Sequence, residues 1–125
     1  MNGFKEIAVK CVEGADDLTF ASAADSIASK KIICIRTRTG GKTSGKLPIV
    51  SVEVLKTMIL ELKDFNNNTM GEIPLATVLQ MSDSREGRGL VVEDKIAFAN
   101  SKISCLDPSV LVTGQGIALL IEFEK

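Results

Sequence analysis

The chain has 125 residues, 45% hydrophobic and 25% charged, with 15 basic residues against 16 acidic ones and a formal net charge of −1. That is the composition of one globular domain, 1–125, able to bury roughly two-thirds of its unfolded surface, and it excludes disordered and collagen-like chains. Five Phe with no Tyr, Trp or His exclude more: there is no Ser-His or Cys-His nucleophile pair, no His metal ligand, and no Tyr or Trp platform for stacking sugars or bases.

In chain order, residues 4–12 read as a strand, with Ile7, Val9 and Cys11 alternating against polar neighbours. Asp16 and Asp17 precede Phe20, Ala23, Ala24 and Ile27 at helical spacing. This predicts a helix near 18–29, capped by the two acids rather than a paired-carboxylate site. Residues 31–39 form the next strand, apolar at Ile32–Ile35 and cationic at Arg36 and Arg38. A Gly-rich loop follows at 40–46. The stripe Leu55, Met58, Ile59, Leu62 and Phe65 then predicts a helix near 51–65, with Ser51 as its cap and Asn66–Asn68 as its stop. The remainder reads as strands at 75–81, 90–92, 96–99, 102–106, 110–113 and 117–123. The segment 83–89 is a polar loop, and Gly114-Gln115-Gly116 closes a terminal hairpin. The fold class is α+β and β-rich, with about six to eight largely antiparallel strands in a sheet, sandwich or small barrel and two helices.

Charge is unevenly placed. Residues 26–52 hold six basic residues (Lys30, Lys31, Arg36, Arg38, Lys42, Lys46) and no acid, so the other 9 basic residues face all 16 acids, a net of −7. Such a dipolar arrangement orients a partner. Arg36, Arg38, Lys42 and Lys46, joined by Arg85 and Arg88 of the later loop, are the candidate residues for an anion or a subunit contact. A ladder of Arg36 and Arg38 against Glu122 and Glu124 is the plain surface alternative.

Two known patterns do not fit. The 39–43 segment lacks the earlier Gly of a nucleotide-binding P-loop, since position 36 is Arg, and Ser44-Gly45-Lys46-Leu47-Pro48 forbids the helix that must follow. The segment Ser82-Asp83-Ser84-Arg85-Glu86-Gly87 comes close to the D/N-x-S-x-x-G of the PilZ family. However, Ser82 replaces the acid or amide, and Arg36-Thr37-Arg38 lacks the family's R-x-x-x-R spacing. Single-strand nucleic-acid binders interleave aromatics with cations, and no Phe lies between residues 21 and 64.

Cys11, Cys34 and Cys105 are too far apart for a C-x-x-C motif and sit in apolar settings, as expected of reduced, buried thiols in a cytoplasmic protein. Lys5, Glu6, Lys10 and Glu13 interrupt any apolar signal core, and no apolar run approaches the ~20 residues that span a bilayer. No catalytic residue, metal ligand or cofactor is assigned, and the balance leans away from an enzyme. The expected function is a non-enzymatic, self-associating subunit partnered by further copies of itself. A phage or other virion component of tail, neck or decoration type is one such subunit, and the apolar 117–123 strand would pair beyond its own sheet. The alternative is a small module binding a phosphate-bearing ligand, nucleic acid or nucleotide, through the basic 30–46 segment. No membrane partner is expected.

Overall fold

The computed structural model describes residues 2–20, 22–84 and 87–125, with only the backbone of Ser22 and Ala23. Among the described residues eight antiparallel strands form two four-stranded sheets: β1 (Asn2–Lys10), β2 (Asp17–Thr19), β3 (Lys31–Thr37), β4 (Met58–Lys63), β5 (Thr69–Pro74), β6 (Leu90–Lys95), β7 (Lys102–Cys105) and β8 (Gly116–Glu124). The first sheet runs β1-β8-β3-β6 and the second β2-β7-β4-β5. Two α-helices, α1 (Val52–Leu55) and α2 (Leu75–Asp83), lie in the connections, with 3-10 turns at Ser22–Ile27 and Pro108–Val110. The arrangement is α+β and sandwich-like; it is not a closed barrel.

Period-two alternation builds the core. Ile7 and Val9 of β1, Ile117, Leu119 and Ile121 of β8, and Ile32 and Ile35 of β3 are buried from one sheet. Leu18 of β2, Ile103 of β7, and Met58, Leu60 and Leu62 of β4 are buried from the other. Successive side chains of a strand point to opposite faces, so one face of each sheet closes the core and the other is free to carry polar groups.

Several expectations are overturned. The predicted 51–65 helix is a single turn followed by β4. Met58 and Leu62 satisfy both a helical and a two-residue period, and Leu60 decides between them: it lies off the helical stripe yet is fully buried, whereas Phe65, on the stripe, is 56% exposed. Asn66–Asn68 stop no helix. They form the β4–β5 hairpin loop, in which Asp64 Oδ1 accepts the N–H groups of Asn66 and Asn68, both at 2.9 Å. Only a 3-10 turn stands in the predicted 18–29 helix, and Asp17 belongs to β2, paired with Lys102 at 3.4 Å rather than capping a helix.

The predicted strand at 75–81 is α2, whose buried residues Leu75, Val78 and Leu79 recur at helical spacing after Pro74. Residues 96–98 are buried but run into a turn at 98–100 rather than forming a strand, and 110–113 contribute no strand. The terminal hairpin is absent for that reason. β8 lies inside its sheet, bonded to β1 on one side and β3 on the other, so it cannot pair beyond its own sheet as expected. No helix among the described residues is long and apolar enough to cross a membrane.

Candidate functional site

The outward face of the first sheet carries most of its polar chemistry. Cys34 pairs across the ladder with Glu122, and Arg36 with Leu120. The Cys34 thiol donates to Glu122 Oε1 at 3.2 Å, and Asn2 Nδ2 donates to Oε2 at 2.7 Å. These two hydrogen bonds, with the positive charges of Arg36 and Arg88 nearby, hold the Glu122 carboxyl below its ordinary range against some desolvation. Burial first, and then the bond and charge of Glu122, push the Cys34 thiol up.

A second acid organises the Gly-rich loop. Glu6, on β1, accepts from Arg38 Nη2 at 3.0 Å and from the Ser44 N–H at 2.6 Å. Arg38 also donates to the carbonyls of Gly40 and Lys42. Burial pushes the Glu6 carboxyl upward, but its bonds from Ser44 and the Arg38 guanidinium outweigh that and hold it below the usual value. A cleft of about 230 Å³ lies between these groups, lined by Arg36, Arg38, Glu6 and the α2 end at Ser82 and Asp83, with Ala118 and Leu120 also along it. α2 is tied to the strand by the Thr37 N–H, which donates to Ser82 Oγ at 3.1 Å.

The six candidate cations therefore divide. Arg36 and Arg88 both act on Glu122, and Gly89 lies against Ile35 and Arg36, so these two cations come to the same part of the sheet. Arg38 is engaged by Glu6. Lys42 and Lys46 are exposed on the loop, and Arg85 lies outside the described residues. Of the expected ladder, Glu122 stands diagonally from Arg36, while Glu124 faces Asn2 across β1. Glu6, which pairs with Arg38, carries no signal in the sequence because 32 residues separate the two. Among the described residues no group of three or more Cys, Asp or Glu could hold a metal ion.

The sheet edges supply a different kind of site. Unpaired edges invite further strands, and proteins blunt them with shortness, charge, proline or bulges. Three of the four edges here are short, proline-ended or irregular. β2 has only three residues. β5 ends in Pro74, and its ladder shifts register beside Lys63. β6 shifts register against β3 and carries Glu93 at φ 53 within the charged run Glu93-Asp94-Lys95.

β1 is the most regular edge: nine consecutive residues pair with β8 without a shift, from Asn2↔Glu124 to Lys10↔Gly116, none is proline, and its only blunting device is the charge of Lys5, Glu6 and Lys10. The Cys11 N–H continues that ladder to Gln115 O at 3.0 Å, whereas the amide and carbonyl of Gly116, opposite Lys10, turn away to Pro48 and Val50. Odd residues of β1 thus bond inward to β8, and the N–H and C=O groups of Phe4, Glu6, Ala8 and Lys10 point off the edge. Their side chains lie on the outward face, where Phe4 and Val12 are 57% and 55% exposed. A trough of about 360 Å³, bordered by Ala8, Lys10 and Val12 and by Asp17, Leu18 and Thr19, runs alongside.

No protein-family model matches the chain, and no curated protein or solved structure shows significant similarity to it.

Proposed function

We propose that this protein is a non-enzymatic, self-associating structural subunit whose contact is the free edge of β1 and whose partner is a further copy of the chain. The observation that carries the reading is the long β1 edge, free of proline and of register shifts, on a sandwich whose other edges are short, proline-ended or irregular. A virion component of tail, neck or decoration type is one setting that such a subunit serves. The contact differs from the basic arm and the apolar terminal strand expected from the sequence.

Sizing with light scattering on Ala8→Pro tests the reading. The Ala8 N–H points off the edge, so proline there removes an edge donor without touching the β1–β8 ladder. The wild-type chain is expected to exceed its 13.4 kDa monomer mass, and the folded Ala8→Pro chain to run as a monomer. A wild-type monomer at every concentration, or an undiminished mass in a folded Ala8→Pro chain, would refute it.

One observation favours the phosphate-ligand alternative: Arg36 and Arg38 share a cleft, and Arg36 Nε is buried without a hydrogen-bond partner among the described residues. That reading requires binding of inorganic phosphate or a short oligonucleotide at low salt, weakening steeply as salt is added. No binding at low salt removes it.

A further inference from the structure

We infer that two copies pair through β1 as an isologous, antiparallel dimer whose two-fold axis passes beside Ala8, extending the β1-β8-β3-β6 sheet across the junction. The inference rests on the proposed self-association and adds the register and symmetry of the contact. A two-fold axis perpendicular to the sheet keeps the core face and the outward face of each copy aligned. Opposed residues are then of the same parity, and a handful of registers remain.

Side-chain chemistry separates those registers. With the axis at Ala8, Glu6 faces the partner's Lys10, Phe4 faces the partner's Val12, and Ala8 faces Ala8. Each relation occurs twice except the last. Opposite charges and two exposed apolar side chains are thereby matched on the outward face, with the smallest side chain at the crossing point. On the core face, Ile7 faces the partner's Val9. Moving the axis to Ile7 sets Phe4 against Lys10 and leaves Glu6 against Ala8. Moving it to Glu6 places two carboxylates face to face, and an axis at Val9 sets Lys10 against Ala8 and Glu6 against Val12.

Glu6 can take this second cation. Its two oxygens accept one bond each from Arg38 and Ser44, and an ionised carboxylate has about four acceptor positions. Lys10 is exposed and forms none of the ion pairs found among the described residues. The trough between β1 and β2 gives the incoming strand and its side chains room at Ala8, Lys10 and Val12.

Disulfide trapping in the full chain tests the register. Ala8 opposite Ala8 is a hydrogen-bonded antiparallel pair with Cα atoms about 5.5 Å apart, within the range a disulfide spans, and Val12, whose carbonyl accepts from the Ala15 N–H, comes opposite Phe4 just past the end of β1. The native Cys11, Cys34 and Cys105 are buried, so the wild-type chain supplies the uncrosslinked control. Under mild oxidation Ala8→Cys is expected to form a covalent dimer. A mixture of Phe4→Cys and Val12→Cys chains is expected to form the mixed dimer, and Phe4→Cys with Lys10→Cys is not. Lys10→Glu, which sets like charges opposite at both ends, is expected to weaken association about tenfold.

A reversible dimer that links Phe4→Cys to Lys10→Cys, or that links none of these, overturns the register and leaves the β1 reading standing. A chain that stays monomeric by light scattering, with no covalent dimer from any variant, overturns both.

Discussion

Gly89→Ala is the substitution whose cost follows most directly from the structure. Gly89 ends the α2–β6 connection at φ +73, and a Cβ there would collide with the carbonyl oxygen of Ile35, while standing 2.8 Å from Arg36 Cγ and 3.0 Å from the Ile35 carbonyl carbon. The obstacle is mainly backbone, in a strand held on both sides by β6 and β8, so it cannot swing aside as a side-chain tip would. The left-handed conformation costs a non-glycine residue about 1–2 kcal/mol, and overpacking against a fixed wall adds about 1–3 kcal/mol. The sum, about 2–5 kcal/mol, corresponds to a fall in Tm of roughly 8–20 °C for a domain of this size. Gly14 supplies the internal control: it has φ +75, and a methyl group added there would meet nothing within 4 Å, so Gly14→Ala should show the conformational cost alone. Urea and thermal unfolding followed by far-UV circular dichroism measure both, since a chain without Trp or Tyr offers no useful intrinsic fluorescence. Equal losses for the two variants would refute the close approach of the α2–β6 connection to β3.

The remaining predictions concern titration. The folded Glu6 pKa lies below its ordinary value of 4.5, so its stabilisation is complete above about pH 4.5 and is lost as pH falls through the folded pKa. Glu6→Gln should therefore be less stable than wild type near neutrality and should lose less on acidification; parallel stability–pH curves would count against the Glu6–Arg38–Ser44 arrangement. Burial, with Cys105 close by, pushes the Cys11 thiol up to about 11, and burial also raises Cys34 and Cys105. A thiol reagent at mildly alkaline pH should find essentially no reactive cysteine in the folded protein and all three after denaturation. Rapid native labelling would show that the sandwich opens around them.

The parts of the fold that were legible in the sequence are those where one period held without competition. β1 and β7 alternate between buried and more exposed positions, β3 and β8 are short apolar runs of strand length, and the positions of all four agree with expectation to within about two residues. The failures fall where two periods overlap. Met58 and Leu62 fit a helix and a strand equally, and the short apolar run from Leu75 to Met81 fits either until Pro74 and the spacing of Leu75, Val78 and Leu79 are weighed together. The candidate cations were visible as a charge window, and Glu122 was expected beside Arg36, but Glu6 was not expected beside Arg38. Thirty-two residues separate those two, and a sequence does not display a pairing that only a sheet order creates.

The sequence by itself determined a β-rich α+β domain, three buried thiols and a segregated cluster of cations, because each depends on residue type or on spacing along a few consecutive residues. Tertiary structure decided which strands became edges. β8, the most apolar strand, was the natural candidate for an outward pairing strand, yet its apolar residues are buried because it sits between β1 and β3. β1, with its mixed polar and apolar residues, became the open edge instead. Edge position is a property of strand order, which is set by long-range burial and not by the composition of any one strand.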